Sequence, residues 1–475
     1  MALLSFFILS AIMSISIVII KNRILTKILT IGFAIIHLSF VAYCWINLNK
    51  TELDYFTYDS LGLLFLSILS VISIPAIYHS FIYLKNEDIR KFTIYNAAFI
   101  ALITFMSGAY LANGMAVIWI FVEATTLAVA ALIYHDRTEL ALEATWKYIF
   151  VCSIGIALAY IGILFLSMTM HGTGISDLSF SSMTRMISNA NPLYLKIAFV
   201  FIFVGFSTKM GLFPMHTITI DAHSVSPPPI SALISTALMN VGFLAIFRAY
   251  SFLSSSVILP FMRQAFIIAG LLSLLISAGY MLKAKHLKRM LAYSSLENMG
   301  LVAIGVGVGG IGYYAAVLVI LLHTLTKASL FFQMGQLSRV LKTFKLDECG
   351  NYMKLYPAGA LVLITGMLCI LAIPPSGLFI SEFILLKAMV LNGQWFVFVG
   401  TVLLLCCVIY AMSTRIMHIT FSDSRNPDQC RVPGNVNPVE TISQFIFLGL
   451  VIMLCFYQPP ILVDLINQSI SVLPK

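Results

Sequence analysis

Long apolar runs without a single charge constrain this chain more than any other feature. Residues 2–20 hold no ionisable side chain, and comparable runs recur to the C-terminal region. A helix needs about 20 mainly apolar residues to cross a bilayer. The runs do not alternate polar with apolar residues, which excludes a membrane β-barrel. We place spans at 2–20, 25–46, 58–84, 92–111, 114–134, 143–168, 194–215, 227–251, 261–282, 290–308, 311–338, 356–390, 395–418 and 440–463. The expected fold is an all-α polytopic membrane protein with about fourteen transmembrane helices. The first run lacks the basic start and the small-residue cleavage site of a signal peptide, so it counts as a span.

Composition agrees. The chain of 475 residues is 60% hydrophobic and 10% charged, with mean hydropathy +0.98. That excludes a soluble globular enzyme and a disordered chain. The net charge of +9 reflects loop lysines and arginines, and no basic patch with interleaved aromatics suggests a nucleic-acid partner. Of the 28 basic residues, 18 lie in loops after odd-numbered spans or at the span ends bordering them, and 7 lie in loops after even-numbered spans, at the span ends bordering those, or at the C-terminus. This bias predicts odd loops in the cytoplasm and both termini outside the inner membrane. The eight cysteines form no C-x-x-C, so iron–sulfur, zinc and nickel sites lack a ligand set, and we expect no cofactor or metal in this chain.

Charge inside a span costs at least about 2.5–3.5 kcal/mol per residue at the helix centre and usually marks function. The residues in question are Glu123, Glu143, Lys147, Lys209, His216, Asp221, His223, Glu297, His323, Lys327 and Glu382. His323 and Lys327 are four apart and share a helix face, as do Glu143 and Lys147, which suit each other as an ion pair. Bracing is as natural a role as proton transfer for His216, Asp221, His223 and Glu297. His37 and His418 read as structural or interfacial residues near span ends. The glycine run from Gly305 to Gly312 lies between two spans and suits close helix packing rather than a dinucleotide loop.

Two spans look interrupted. The seventh contains Gly211 and Pro214, then a polar segment from His216 to His223, then Pro227-Pro228-Pro229. The twelfth contains Pro374-Pro375 and Gly377. Breaks at membrane depth occur where they line a protein-enclosed or watery cavity. Interruptions at matching places in two halves point to inverted repeats. We therefore expect two five-helix repeats, spans 4–8 and 9–13, with broken helices 7 and 12. The matching segments are 1–90, 91–253, 254–420 and 421–475. Lysine, histidine and glutamate at half-membrane depth suit proton movement, because burial and opposite charge pull their protonation in opposite directions.

At this point a resemblance enters. The carriers are Lys288-Arg-Met-Leu-Ala-Tyr-Ser-Ser-Leu-Glu297-Asn-Met-Gly300, Phe213-Pro-Met-His216, Asp221-Ala-His223-Ser, and His323-Thr-Leu-Thr-Lys327-Ala-Ser-Leu-Phe-Phe. The span around Glu123 and the segment Gly377-Leu-Phe-Ile-Ser-Glu382-Phe add to them. Over roughly residues 60–420 the chain resembles the proton-conducting antiporter-like membrane subunits of the respiratory complex I family, which are shared with cation/proton antiporters. Ala141-Leu-Glu143-Ala-Thr-Trp146-Lys147-Tyr148 and Cys152-Ser give it most similarity to the component F type of hydrogenase-4 and formate hydrogenlyase. It is also similar to the M, N and L type subunits of NADH-quinone oxidoreductase.

The resemblance implies a proton-translocating subunit of a hydrogenase-like or complex I-like redox complex. Its partners would be other membrane and peripheral subunits, the lipid bilayer and protons, with sodium as the alternative ion. Electron transfer would occur in those other subunits. Glu123 would be the coupling glutamate, Lys209 its partner and the central carrier, His323 and Lys327 the continuation, and Glu382 the terminal site. Asn240 stands where many relatives carry a lysine joining the two halves. The segment after His216 reads Ile-Thr-Ile where relatives often have Trp-Leu-Pro, and Val225 and Ser226 replace the usual polar residue and alanine before Pro227. A subunit of a sodium/proton antiporter and a non-pumping membrane scaffold are the alternative readings.

Overall fold

The computed structural model describes residues 1–169, 179–187, 190–423 and 436–474. Arg425, Cys430, Arg431 and Lys475, counted above, lie outside the described residues. Spans one to three are α1 (Ala2–Ile20), α2 (Arg23–Ile46) and α3 (Ser60–Tyr83). A small antiparallel hairpin of β1 (Thr51–Glu52) and β2 (Phe56–Thr57) joins the last two. Spans four to six are α4 (Ile89–Leu111), α5 (Met115–Ile133) and α6 (Glu139–Thr169). After the short α7 (Phe180–Met186), span seven divides into α8 (Pro192–Met210) and α9 (Thr217–Val225). Span eight comprises α10 (Pro228–Leu233), a π turn over Ile234–Leu238, and α11 (Met239–Leu253). Spans nine to eleven are α12 (Leu259–Leu282), α13 (Leu287–Val308) and α14 (Ile311–Leu341). A turn, α15 (Tyr352–Leu355), leads into span twelve, divided into α16 (Pro357–Ile370) and α17 (Gly377–Leu391). The last spans are α18 (Trp395–Phe421) and α19 (Ile442–Phe456), followed by α20 (Pro460–Ile470).

Among the described residues, 13 helices are long and apolar enough to cross a membrane, and α16 of the divided span twelve is a shorter apolar helix. The architecture is an all-α polytopic membrane fold, as the apolar runs predict. Large apolar side chains cover the outside, such as Ile8, Ile12, Ile15 and Ile19 on α1. Polar and titratable side chains are gathered inside, on α11, α13 and α14, which are almost wholly enclosed by other helices.

Three expectations need correction. The last span was expected to run to residue 463. It stops at Phe456, because Pro459 and Pro460 cannot continue a helix, and α20 turns back so that Ser60 Oγ donates to Gln468 Oε1 at 2.8 Å. His37 does not lie near a span end. It is buried in the middle of α2, with Nε2 3.0 Å from Ser107 Oγ. Glu143 and Lys147 are not enclosed in the bundle: they form an ion pair at 2.5 Å with more than half of each side chain exposed.

Small residues set how closely the helices meet. A Cβ on Gly205 of α8 would lie 2.5 Å from the Gly155 carbonyl of α6, and one on Gly155 would lie 2.9 Å from the Gly205 carbonyl. Gly162 meets the Ala198 carbonyl in the same way, two turns further along α6. Gly270 and Gly300 repeat this reciprocal contact between α12 and α13. Without side chains in the interface the backbones come together, which is how membrane helices gain packing energy that lipid does not supply.

Candidate functional site

Span seven breaks where its sequence offers a left-handed stop. Gly211 closes α8 at φ 70°, and its N–H donates to the Ser207 carbonyl. Lys209 thereby sits in the last turn of α8, buried, at the helix end whose free carbonyls favour a cation. Its Nζ donates to the Tyr148 hydroxyl at 2.9 Å and lies 4.8 Å from the centre of that ring. Cys152, one turn along α6, is an electrostatic neighbour of both. The glycine contact between α6 and α8 is what brings Tyr148 within reach. Gly242 of α11 completes the enclosure, since a Cβ there would lie 2.3 Å from the Met210 nitrogen.

Glu123 on α5 is an electrostatic neighbour of Lys209, but no ion pair within 4.0 Å joins them among the described residues. One Glu123 carboxylate oxygen is buried without a hydrogen-bond partner. The expected direct Glu123–Lys209 ion pair is not formed, and Lys209 donates to the Tyr148 hydroxyl.

In the middle of the bundle, Asn240 Nδ2 donates to Thr324 Oγ1 at 3.0 Å, tying α11 to α14. Asn240 Oδ1 has no partner. The next side chain, His323, is fully buried with both ring nitrogens unpartnered, and His223 on α9 is the same. The two imidazoles are electrostatic neighbours. Buried polar atoms in native proteins are almost always hydrogen-bonded, to water where protein does not serve. His216 lies in the break itself, its ring 6.3 Å from Phe213, with Nδ1 unpartnered.

Lys327 extends from α14 to α13, where its Nζ donates to the Leu291 carbonyl at 2.5 Å and to Ser294 Oγ. Glu297, one turn further along α13, is an electrostatic neighbour of both Lys327 and Glu382. Glu297 and Glu382 line one cavity of about 170 Å³, walled by Leu371, Ala372 and Phe379 of the second break and by α18. Ser376 builds that break: its Oγ donates to the Cys369 carbonyl at 3.1 Å and accepts from the Leu378 N–H, joining the end of α16 to the start of α17.

The remaining predicted residues lie at the face formed by the loops after odd-numbered spans. Asp221 pairs with Arg289 at 2.5 Å, and these two with Glu143 and Lys147 line a cavity of about 450 Å³. His286 lines it too. Burial, with the Lys288 and Arg289 charges, pushes that imidazole down to about 4. Lys288 is buried beside it and donates to the Ser226 carbonyl at 2.7 Å, where α9 gives way to α10.

The structure thus gathers Lys209, His223, Asn240, His323, Lys327, Glu297 and Glu382 inside the bundle, with Glu123 beside Lys209. It leaves Glu143, Lys147 and Asp221 at the odd-loop face. Sequence reasoning overlooked Tyr148, Ser294, Thr324 and Lys288 as functional candidates. The one-turn spacing of Tyr148 and Cys152 within an apolar stretch is a weak pointer to the first.

Residues 112–407 match the model of the family described as NADH:quinone oxidoreductase/Mrp antiporter, transmembrane. A hydrogenase-4 component F homolog of Methylacidiphilum infernorum is 30% identical over 461 residues, covering 92% of this chain and 93% of that protein. A chain of the archaeal membrane-bound sulfane sulfur reductase superposes with TM-score 0.88 at 20% identity, covering 99% of this chain and 97% of that one. A chain of respiratory complex I from Thermus thermophilus gives 0.78 at 18% identity, covering 98% of each. By sequence family, this chain belongs to the NADH:quinone oxidoreductase/Mrp antiporter transmembrane family.

Proposed function

We propose that this chain is the proton-translocating membrane subunit of a hydrogenase-4-like or complex I-like redox assembly. Electron transfer takes place in partner subunits, and the chain itself needs no cofactor. The observation that carries this reading is the gathering of buried titratable side chains at two helix breaks in an otherwise apolar bundle. Such residues are expensive in a membrane and mark ion pathways.

Lys209 has two partners of different kind. Bound to Tyr148 it is parted from Glu123; moved toward Glu123 it meets a carboxylate. A neighbouring subunit that changes its charge near Glu123 biases this choice, and the proton on Lys209 becomes easier or harder to release. It then passes by way of His323 and Lys327 to Glu297 and Glu382. The unpartnered nitrogens of His223 and His323 and the Asn240 carbonyl support a water-assisted crossing where a lysine is lacking. The cavity at Asp221 and Lys147 suits uptake from the odd-loop side. In this reading the chain sits in the cytoplasmic membrane with odd loops inside, both termini outside, and spans 4–8 and 9–13 as inverted repeats.

Proton uptake by inverted vesicles of the intact assembly tests this. Neutralising Glu123, Lys209, Lys327 and Glu382 together abolishes pumping if the reading holds; a scaffold would retain normal activity. A sodium/proton antiporter subunit is the second reading, supported by two carboxylates that share one cavity. Sodium-dependent collapse of a pH gradient without redox substrate would favour it.

A further inference from the structure

A cavity of about 990 Å³ lies apart from the titratable row at the odd-loop face. Its walls are span ends: Lys27 near the start of α2, the last turns of α3, the C-terminal third of α14, the start of α10, and the segment leading into α19. These span ends on one side of the bundle place the cavity at the level where apolar spans meet water.

The rim is basic. Lys27 and Lys85 are exposed at it, and among the described residues neither ammonium has a carboxylate within 4.0 Å. Glu440 is the one acidic lining residue among those described, and Arg339 already neutralises it through a two-pronged ion pair. Lys85 is held in place, because Arg23 donates to the carbonyls of Leu84, Lys85 and Glu87 at 3.2, 2.8 and 2.6 Å. The inner wall is aromatic: His79 stacks on Phe332 at 4.7 Å, with its Nε2 3.2 Å from Ser443 Oγ. Leading away along α3 is a stripe of outward apolar side chains, Val71, Ile74 and Tyr78, and Tyr78 itself lines the cavity.

We propose that this cavity binds the phosphate-bearing headgroup of an anionic phospholipid, with Lys27 and Lys85 on the phosphate and the acyl chains along the α3 stripe. Cationic rims at the cytoplasmic ends of spans attract anionic headgroups, and each lysine near the surface adds to the attraction. The apolar stripe continuing from the rim favours a lipid over a soluble anion, which would gain nothing from it.

The test uses the intact assembly in detergent, with native mass spectrometry after delipidation and re-addition of phosphatidylglycerol or phosphatidylcholine. The wild type should retain phosphatidylglycerol and not phosphatidylcholine. Lys27→Ala with Lys85→Ala should weaken that retention roughly thirtyfold. Lys283→Ala, an exposed lysine on the same face outside the cavity, should leave it unchanged. Equal retention by the double variant and the wild type would overturn the proposal. So would displacement by millimolar inorganic phosphate, which would mark a soluble-anion site, or a photo-crosslinker at position 85 that captures a subunit of the assembly in place of lipid.

Discussion

Lys209 and Tyr148 meet at 2.9 Å, ammonium to phenol hydroxyl, at the broken end of α8. A hydrogen bond to a charged group contributes about 1.5–3 kcal/mol. Tyr148→Phe removes the hydroxyl and keeps the ring. The expected result is a fall of about tenfold or more in pumping rate, with the assembly still formed, measured by fluorescence-quench proton uptake in inverted vesicles. An unchanged rate would mean that the contact does not hold Lys209 in a working state.

The approach of α6 to α8 sets that distance. Gly205→Leu drives a side chain into the Gly155 carbonyl and the Ala159 backbone. Overpacking of this kind typically costs about 1–3 kcal/mol. Thermal inactivation in detergent should come earlier and pumping should be lost, whereas Gly449→Leu, where a Cβ meets nothing within 4 Å, should be neutral.

Glu297 and Glu382 share a cavity, so their roles separate by conservative exchange. Glu297→Gln keeps the shape and the hydrogen bond to Asn298 but cannot carry a proton. The expected result is a sharp fall in pumping with complex assembly normal. Unchanged pumping would mean that Glu297 only braces α13.

Arg248 is a structural clamp. It is buried on α11, pairs with Asp59 at 2.8 Å, and donates to the carbonyls of Tyr110 and Ala112. Removing one partner of a buried ion pair costs about 3–5 kcal/mol. Asp59 is part-exposed here, which places the expected loss for Arg248→Ala toward the lower end. Thermal unfolding of the purified chain in detergent measures it.

The all-α polytopic fold and the positions of both breaks were legible in the sequence, because apolar runs and Gly/Pro interruptions are local signals. Lys209, Lys327 and Glu382 stood out because charge in an apolar run is conspicuous. Tyr148, Ser294 and Thr324 did not, since a neutral hydroxyl in a span carries no such signal and matters only through a neighbour brought up by packing. For the same reason Glu143 and Lys147 resembled enclosed charges: sequence places them on one helix face but does not say that the face is open. The turn-back of α20 depends on a contact between Ser60 and Gln468 that no local pattern foretells.

The central claim is that Glu123 and Lys209 exchange partners to drive proton transfer. It is tested most directly by protons pumped per electron in inverted vesicles of the intact assembly carrying Glu123→Gln or Lys209→Ala. The account predicts that either change lowers the ratio while the subunits still assemble. If both variants pump the wild-type number of protons per electron, the account is contradicted.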